Sequence, residues 1–373
     1  MVSKLTGQPR LTSQFNHSTK RRICQGSNHH CMKFLRFKVR NHSGLYLFNL
    51  LIPEHYSLVL GPKRCYNRAM SPQVIFVFLD GVGLGPAGDS NPFWLAPMPN
   101  LRQLLDGPLV DGRTVERPGL LLKGIDACLG VQGRPQSATG QTALFTGVNA
   151  AQLLGYHLTA YPNGPLTELI NECNVLKQAT ESGYRATFAN AYTPTYFQLV
   201  AEGKRRHSAT TLSVLAAGLP FRLMADLERG QAVYWDITHR FLNEYLKIPM
   251  PIIEPELAGQ RLARLADEHD LVLYECFLPD LIGHRKNVQE ALILLETLDR
   301  FLAGLLNEMG PTVSLVVSSD HGNLEDMGIG IHTTNPVPLL VVGPGASAFH
   351  EAQAITDVAG GIMAVLRGET HRE

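Results

Sequence analysis

Three things are scarce in this 373-residue sequence: long apolar runs, paired cysteines, and acidic residues in the first seventy positions. The apolar stretch 45–52 is too short to span a bilayer and lies too far along the chain for a secretory signal, so no membrane association is expected. Six cysteines (Cys24, Cys31, Cys65, Cys128, Cys173 and Cys276) form no CxxC pair. This argues against a disulfide framework or a zinc–thiolate site and fits a reducing, cytoplasmic setting. Residues 1–69 hold twelve Lys/Arg and one acid, Glu54. The remaining residues hold 21 Lys/Arg and 32 Asp/Glu, a net charge of −11.

The two parts read as different kinds of sequence. Segment 1–69 reads first as a basic extension outside the fold, then as a transit-type presequence, then as a nucleic-acid-binding arm. Met70 motivates the first reading, because it directly precedes Ser-Pro-Gln-Val-Ile-Phe-Val-Phe-Leu-Asp, a natural first strand. An acidic remainder opposes polyanion binding, so no nucleic-acid partner is expected.

From residue 70 onward, strand-like runs alternate with helical patterns. Runs 74–79, 185–191, 271–277, 313–317 and 337–342 read as strands. Segments 166–182, 208–217, 255–267, 288–308 and 352–366 read as helices. Continuous apolar strands separated by helices predict an α/β fold, with a mostly parallel central sheet and helices on both faces.

Several segments carry candidate chemistry. Asp80 ends the first strand, where ligands of open α/β sheets bind; Asp80 before Gly81 is equally a turn residue. The overlapping Gly83-x-Gly85-x-x-Gly88 is a weak dinucleotide signal, since Pro86 and Asn91-Pro92 interrupt the helix that should follow. Asp280-Leu-Ile-Gly-His284 follows a strand, and at i, i+4 on a helix both side chains share a face and can hold one ion; alone, the pair is often just a surface pair. Asp320-His321 ends the run 313–319, and His332 lies eleven residues on. Ser137-Ala-Thr-Gly140 follows a Gly/Pro-rich loop and reads as a helix N-terminus, either an anion site or a plain Ser N-cap. It lacks the Gly-Lys pair of a P-loop.

Together these segments resemble the alkaline phosphatase superfamily, in the branch of cofactor-independent phosphoglycerate mutase and phosphopentomutase. Ser-Asp320-His321-Gly-Asn and His332-Thr-Thr-Asn-Pro-Val-Pro are similar to the mutases' signature, and Asp280-x-x-Gly-His284 and Ser137-x-x-Gly also fit. The resemblance covers roughly 73–150 and 265–366. It implies two divalent metal ions, Mn²⁺ or Zn²⁺. One would sit on Asp280, His284 and His332, the other on Asp80, Asp320, His321 and Ser137. It further implies Ser137 as a phosphoryl-accepting nucleophile, with Thr139 as the alternative. Gly140, Gln141, Asn149 and His157 are candidate contacts to a small phosphorylated substrate. Gln141 departs from the mutases' usual His. The mutases carry a cap domain between nucleophile and Asp-x-x-x-His; here 192–250 leaves room for a small cap only. That favours a hydrolase over a mutase, with a metal-retaining binding protein as the remaining reading. The basic run 204–207 reads either as a grip for an anionic substrate or as a solvated loop.

Overall fold

The computed structural model describes residues 71–369 in full and the backbone of two strands before them, 32–41 and 44–53. The chain divides into two compact units, Met1–Cys65 and Tyr66–Glu373. In the first, β1 (Met32–Asn41) pairs antiparallel with β2 (Gly44–Pro53), which contains the apolar stretch 45–52. Most of the expected extension 1–69 lies outside the described residues. Within the described residues no helix is long and apolar enough to cross a membrane.

In the second unit, β3 is Gln73–Leu79, β4 Val115–Arg117, β5 Leu120–Ile125 and β6 Ala186–Phe188. The pair β7 (Ala191–Tyr192) and β8 (Arg222–Leu223) forms a small parallel sheet of its own. Then come β9 (Leu271–Cys276), β10 (Val313–Ser318) and β11 (Val337–Val342). The central sheet runs β4-β5-β11-β10-β3-β9-β6. Pairings β10–β3, β3–β9 and β9–β6 are parallel, while β10–β11, β11–β5 and β5–β4 are antiparallel. Five strands therefore share one direction and β11 and β4 oppose it, so the sheet is mostly parallel with an antiparallel flank.

Strand β3 shows why its sequence is a continuous apolar run. Val74, Phe76 and Phe78 face one helical layer, while Ile75, Val77 and Leu79 face the other. Both faces are dry, so alternation is lost. The first layer comprises helices Ser137–Thr146, Gly164–Glu172, Val175–Glu181, Ala209–Ala216 and Asp357–Arg367; the second comprises Pro99–Leu105, Pro255–Leu265 and Val288–Glu308.

Three elements differ from the sequence reading. The helix expected over 166–182 is two helices, because Asn174 accepts from Lys177 N–H (3.0 Å) and caps the second. The strand expected over 185–191 breaks after Phe188, and its end joins β8. The last helix starts at Asp357, whose carboxylate accepts from Gln353 and Ala354 N–H (2.7 and 2.9 Å) and holds that stretch as a turn.

Segment 192–250 divides between two places. Ala209 and Val214 pack into the main core, whereas Leu227, Ala232, Tyr234, Leu242 and Met250 form a small cluster with Ala191.

Candidate metal centre

The sheet delivers the candidate ligands to one edge. Asp80 directly follows β3, Asp320 and His321 follow β10, and β9 runs into helix Leu278–Arg285, which carries Asp280 and His284. Because β11 is antiparallel to β10, the residues before its start, including His332, return to the same edge. Backbone hydrogen bonds fix the register: Asp80 N–H donates to Cys276 O and Asp280 N–H to Asp80 O, both at 3.0 Å. Two glycines permit the close approaches. Gly81, at φ +75°, abuts the Asp280 backbone, where a Cβ would come within 2.7 Å of Cα. A Cβ on Gly140 would come within 2.6 Å of the Asp320 carbonyl oxygen.

Two groups of donor atoms result, Asp280–His321–His332 and Asp80–Asp320–His321, each with its atoms within 4.8 Å of one another. Asp280 Oδ1 is 3.3 Å from His332 Nε2 and 3.4 Å from His284 Nε2, and the two Nε2 atoms are 3.1 Å apart. His321 Nε2 is 3.4 Å from Asp80 Oδ1, 3.5 Å from Asp320 Oδ2 and 3.1 Å from Ser137 Oγ. The His321 and His332 rings stack with centroids 3.7 Å apart, so the groups share a wall.

This donor set fits cations. His284 Nδ1–H donates to Gly330 O (3.1 Å) and His332 Nδ1–H to Pro135 O (2.9 Å). Both contacts leave an Nε2 lone pair directed into the cluster, as metal-ligating histidines require. Asp80 Oδ1 and Asp320 Oδ2 are buried acceptors with no hydrogen-bond partner, a costly arrangement unless a positive charge meets them.

Without cations the electrostatics are adverse. Burial, with the Asp320 and Asp280 charges adding to it, pushes the Asp80 carboxyl well up. Burial and the Asp280 charge push Asp320 up to about 7. Burial alone would raise Asp280 too, but the hydrogen bond and charge of a protonated His332, together with the bond from Asn323, hold it at about 2. Burial drives His321 down to about 3, leaving a neutral imidazole beside Ser137.

Ser137 is the first residue of its helix; Gln136 occupies the cap position, so the serine hydroxyl does not cap and faces His321 instead. The first-turn N–H groups are partly committed, since Thr139 N–H donates to Leu158 O (3.4 Å) and Gly140 N–H to Gln136 O (2.8 Å). The Thr139 hydroxyl donates to Gln136 O (3.2 Å) and accepts from Leu158 N–H (3.3 Å). Gln141 Nε2–H donates to Asp80 Oδ2 (3.1 Å), so it supports a candidate ligand carboxylate. Asn149 caps helix Ala150–Leu154 and donates to Leu129 O (2.9 Å), and His157 Nε2–H donates to Val131 O (3.2 Å). These bonds run to backbone groups rather than to the cluster. In the basic run, Lys204 pairs with Glu202 (2.7 Å), Arg206 donates to Pro162 O (2.5 Å), and Arg205 lies over the Tyr196 ring.

Sequence reasoning gave no role to two supports. Asn323 Nδ2–H donates to Asp280 Oδ1 (2.7 Å). Buried Glu325 accepts from Gly83 N–H (2.9 Å), Asn323 N–H (2.8 Å), Asn335 Nδ2–H (3.0 Å) and the Thr333 hydroxyl. A Cβ on Gly83 would meet Glu325 Oε1 at 2.3 Å, so the glycine-rich stretch serves this carboxylate rather than a dinucleotide. The signal was the Asn-Leu-Glu that follows Asp320-His321-Gly.

Glu275 on β9 is a further buried acid, accepting from the Thr210 hydroxyl (3.0 Å); burial raises its carboxyl to about 7, against the hydrogen bond. A raised acid contributes stability that is complete below its unfolded pKa and lost as pH rises through the folded one. Glu275→Gln should therefore leave the melting point near wild type at pH 5 and raise stability at pH 8 by about 2 kcal/mol. Equal shifts at both pH values in thermal melts would show that Glu275 is not the group titrating.

Residues 254–369 match the family model of the Metalloenzyme superfamily. A 2,3-bisphosphoglycerate-independent phosphoglycerate mutase from Desulforudis audaxviator is 33% identical over 117 residues, covering 28% of this chain and 23% of the mutase. The mutase of the same name from Roseobacter denitrificans is 28% identical over 163 residues, covering 39% and 32%. The chain thus spans less than a third of the length of these relatives. A solved alkaline phosphatase from the Antarctic bacterium TAB5 superposes with a TM-score of 0.42 at 15% identity, covering 80% of this chain and 99% of that one. The segment that matches the Metalloenzyme superfamily model contains Asp280, His284, Asp320, His321 and His332 together.

Proposed function

We propose that the chain is a two-metal phosphoryl-transfer enzyme that hydrolyses a small phosphate ester through a Ser137 phosphoenzyme. The observation that carries this reading is Ser137 Oγ lying 3.1 Å from His321 Nε2, beside two groups of convergent carboxylates and imidazoles. Asp280, His284 and His332 would hold one divalent ion, and Asp80, Asp320 and His321 the other, with Ser137 beside it. Mixed oxygen and imidazole donors suit Mn²⁺ or Zn²⁺ better than Mg²⁺ or Ca²⁺. When bound, such ions acidify a nearby hydroxyl and offset charge on the transferring phosphoryl group.

The chain's own residues do the rest. Ser137 Oγ gives up its proton to solvent and forms the new bond to phosphorus as the bond to the leaving oxygen breaks, and that oxygen takes a proton from solvent. Water then attacks the phosphoserine, the Ser–O bond to phosphorus breaks, and Ser137 regains its proton. Asn323 orients Asp280 and Gln141 orients Asp80, while Glu325 fixes the loop between His321 and His332. Hydrolysis is favoured over retransfer because helix Ala209–Ala216 packs into the core, leaving little of 192–250 to enclose an intermediate against water. The names of the relatives favour a phosphomutase as the second reading.

The test uses the full chain loaded with Mn²⁺ or Zn²⁺. Release of p-nitrophenol from its phosphate ester, abolished by chelator, is the expected result. Conversion of 3-phosphoglycerate to its 2-isomer without free phosphate, followed by ³¹P NMR, would establish the mutase instead. Tight metal binding with neither activity would leave a non-catalytic metal-binding protein and reject both.

A further inference from the structure

The rim on the His284 side of the cluster carries two exposed aliphatic side chains beside the exposed Arg285 and Lys286. His284 is its exposed member, with 43% of the side chain accessible, and it is tethered to the Gly330 carbonyl. The loop supplying that carbonyl presents Ile329 and Ile331 to solvent at 43% and 45% exposure, and Ile331 immediately precedes buried His332. Lys286 adds its stem, since a Cβ on Gly330 would meet its Cδ and Cγ at 2.6 and 2.7 Å. Single exposed aliphatic residues need no explanation. Two that bracket the tether of one candidate ligand, one of them next in sequence to another, put aliphatic side chains beside the site.

The far end of the same helix repeats the pattern. Phe277, its half-buried cap residue, lies within one turn of Asp280 and stacks on half-buried Trp235 with centroids 4.0 Å apart. The Trp235 loop is held by force: Ile237 and His239 sit at φ +69° and +70°, a costly conformation for a β-branched residue. Asp236 secures it by accepting from His239 and Phe241 N–H (3.0 and 2.7 Å), and the Tyr274 hydroxyl donates to Tyr234 O (3.1 Å). The indole is therefore pre-positioned rather than free to collapse.

We propose that this rim receives the leaving group of the substrate, and that the substrate class is a phosphate monoester of an apolar alcohol or phenol rather than of a polyhydroxylated one. The inference rests on the phosphoryl-transfer reading. With the phosphoryl group held among the buried carboxylates and imidazoles, the ester oxygen points outward, and the surfaces flanking that exit are aliphatic and aromatic. Such surfaces gain by covering apolar area and gain nothing from a chain of hydroxyls.

Calorimetric titration of the Mn²⁺-loaded full chain with phenylphosphonate and methylphosphonate tests it without turnover. Phenylphosphonate should bind about tenfold more tightly. Ile329→Ser with Ile331→Ser should bring the two affinities within about twofold of each other. Ile331→Thr, which keeps the branched Cβ, should narrow the gap partway and serves if the serine pair loosens the loop. Equal affinities in the wild type, or a ratio unmoved by the substitutions, would overturn the inference while leaving the phosphoryl site intact. A ratio unmoved while the double variant passes from dimer to monomer on sedimentation would make the rim a self-association face and equally overturn it. If neither phosphonate binds, the phosphoryl-site reading fails and this one falls with it.

Discussion

Ser137→Ala should lower metal-dependent release of p-nitrophenol by about 10⁴-fold, while the melting point moves by no more than about 2 °C. The large kinetic effect follows from chemistry: without the hydroxyl no covalent intermediate can form, and what remains is water attacking a bound ester. The small stability effect follows from structure. Ser137 does not cap its helix, and its recorded side-chain bond is the 3.1 Å contact with His321. Losing it should cost about 1 kcal/mol. Rapid quenching of the wild type followed by peptide mass spectrometry should place the phosphate on residue 137. Phosphate on Thr139 would move the nucleophile by two residues, although that hydroxyl is engaged with Gln136 O and Leu158 N–H. Full activity in Ser137→Ala would mean direct attack by water, and the phosphoenzyme would be abandoned.

What could be read from the sequence, and what could not, divides along physical lines. The helix expected over 288–308 and the strand expected over 337–342 appear with those bounds, because each carries a full amphipathic or apolar pattern of its own. The segments bearing Asp80, Asp280 and Asp320-His321 were legible for the same reason, since each follows a strand that announces itself. Less legible were elements whose form depends on partners elsewhere. The short strand 115–117 has one partly buried apolar residue and exists because β5 offers it an edge. The break at Asn174 depends on a side chain competing for backbone groups. Glu325 lies next to a quoted motif, yet part of its task, accepting from Gly83 N–H, joins positions 242 residues apart. Gln141 stands where the mutases usually carry His; the bond it donates to Asp80 joins positions 61 residues apart and has no signature in the local sequence.

Asp320→Asn should reverse its rank against the wild type according to whether metal is present. In metal-free protein, Asp80, Asp280 and Asp320 crowd one buried region, and burial with the Asp280 charge raises Asp320 to about 7. The sign is that of any raised acid: stability is complete below the unfolded pKa and is lost as pH rises through 7. At pH 8 the metal-free wild type therefore carries this cost, and the asparagine variant does not. The variant keeps an Oδ1 acceptor for the Gly81 N–H, so it should melt higher at pH 8, by roughly 5 °C, with the difference shrinking toward pH 5. His321, driven down to about 3, gives an opposite slope between pH 3 and 6.5, but it is present in both proteins and largely cancels. Saturating Mn²⁺ or Zn²⁺ inverts the order. At a thousandfold excess over Kd a ligand stabilises its protein by about 4 kcal/mol, and only the wild type retains the full carboxylate set to bind it. A residue with a purely structural role would destabilise on substitution under both conditions. Melts with chelator and with metal, at pH 5 and pH 8, therefore separate the two roles, and a variant less stable than wild type in chelator at pH 8 would sink the metal-ligand assignment of Asp320.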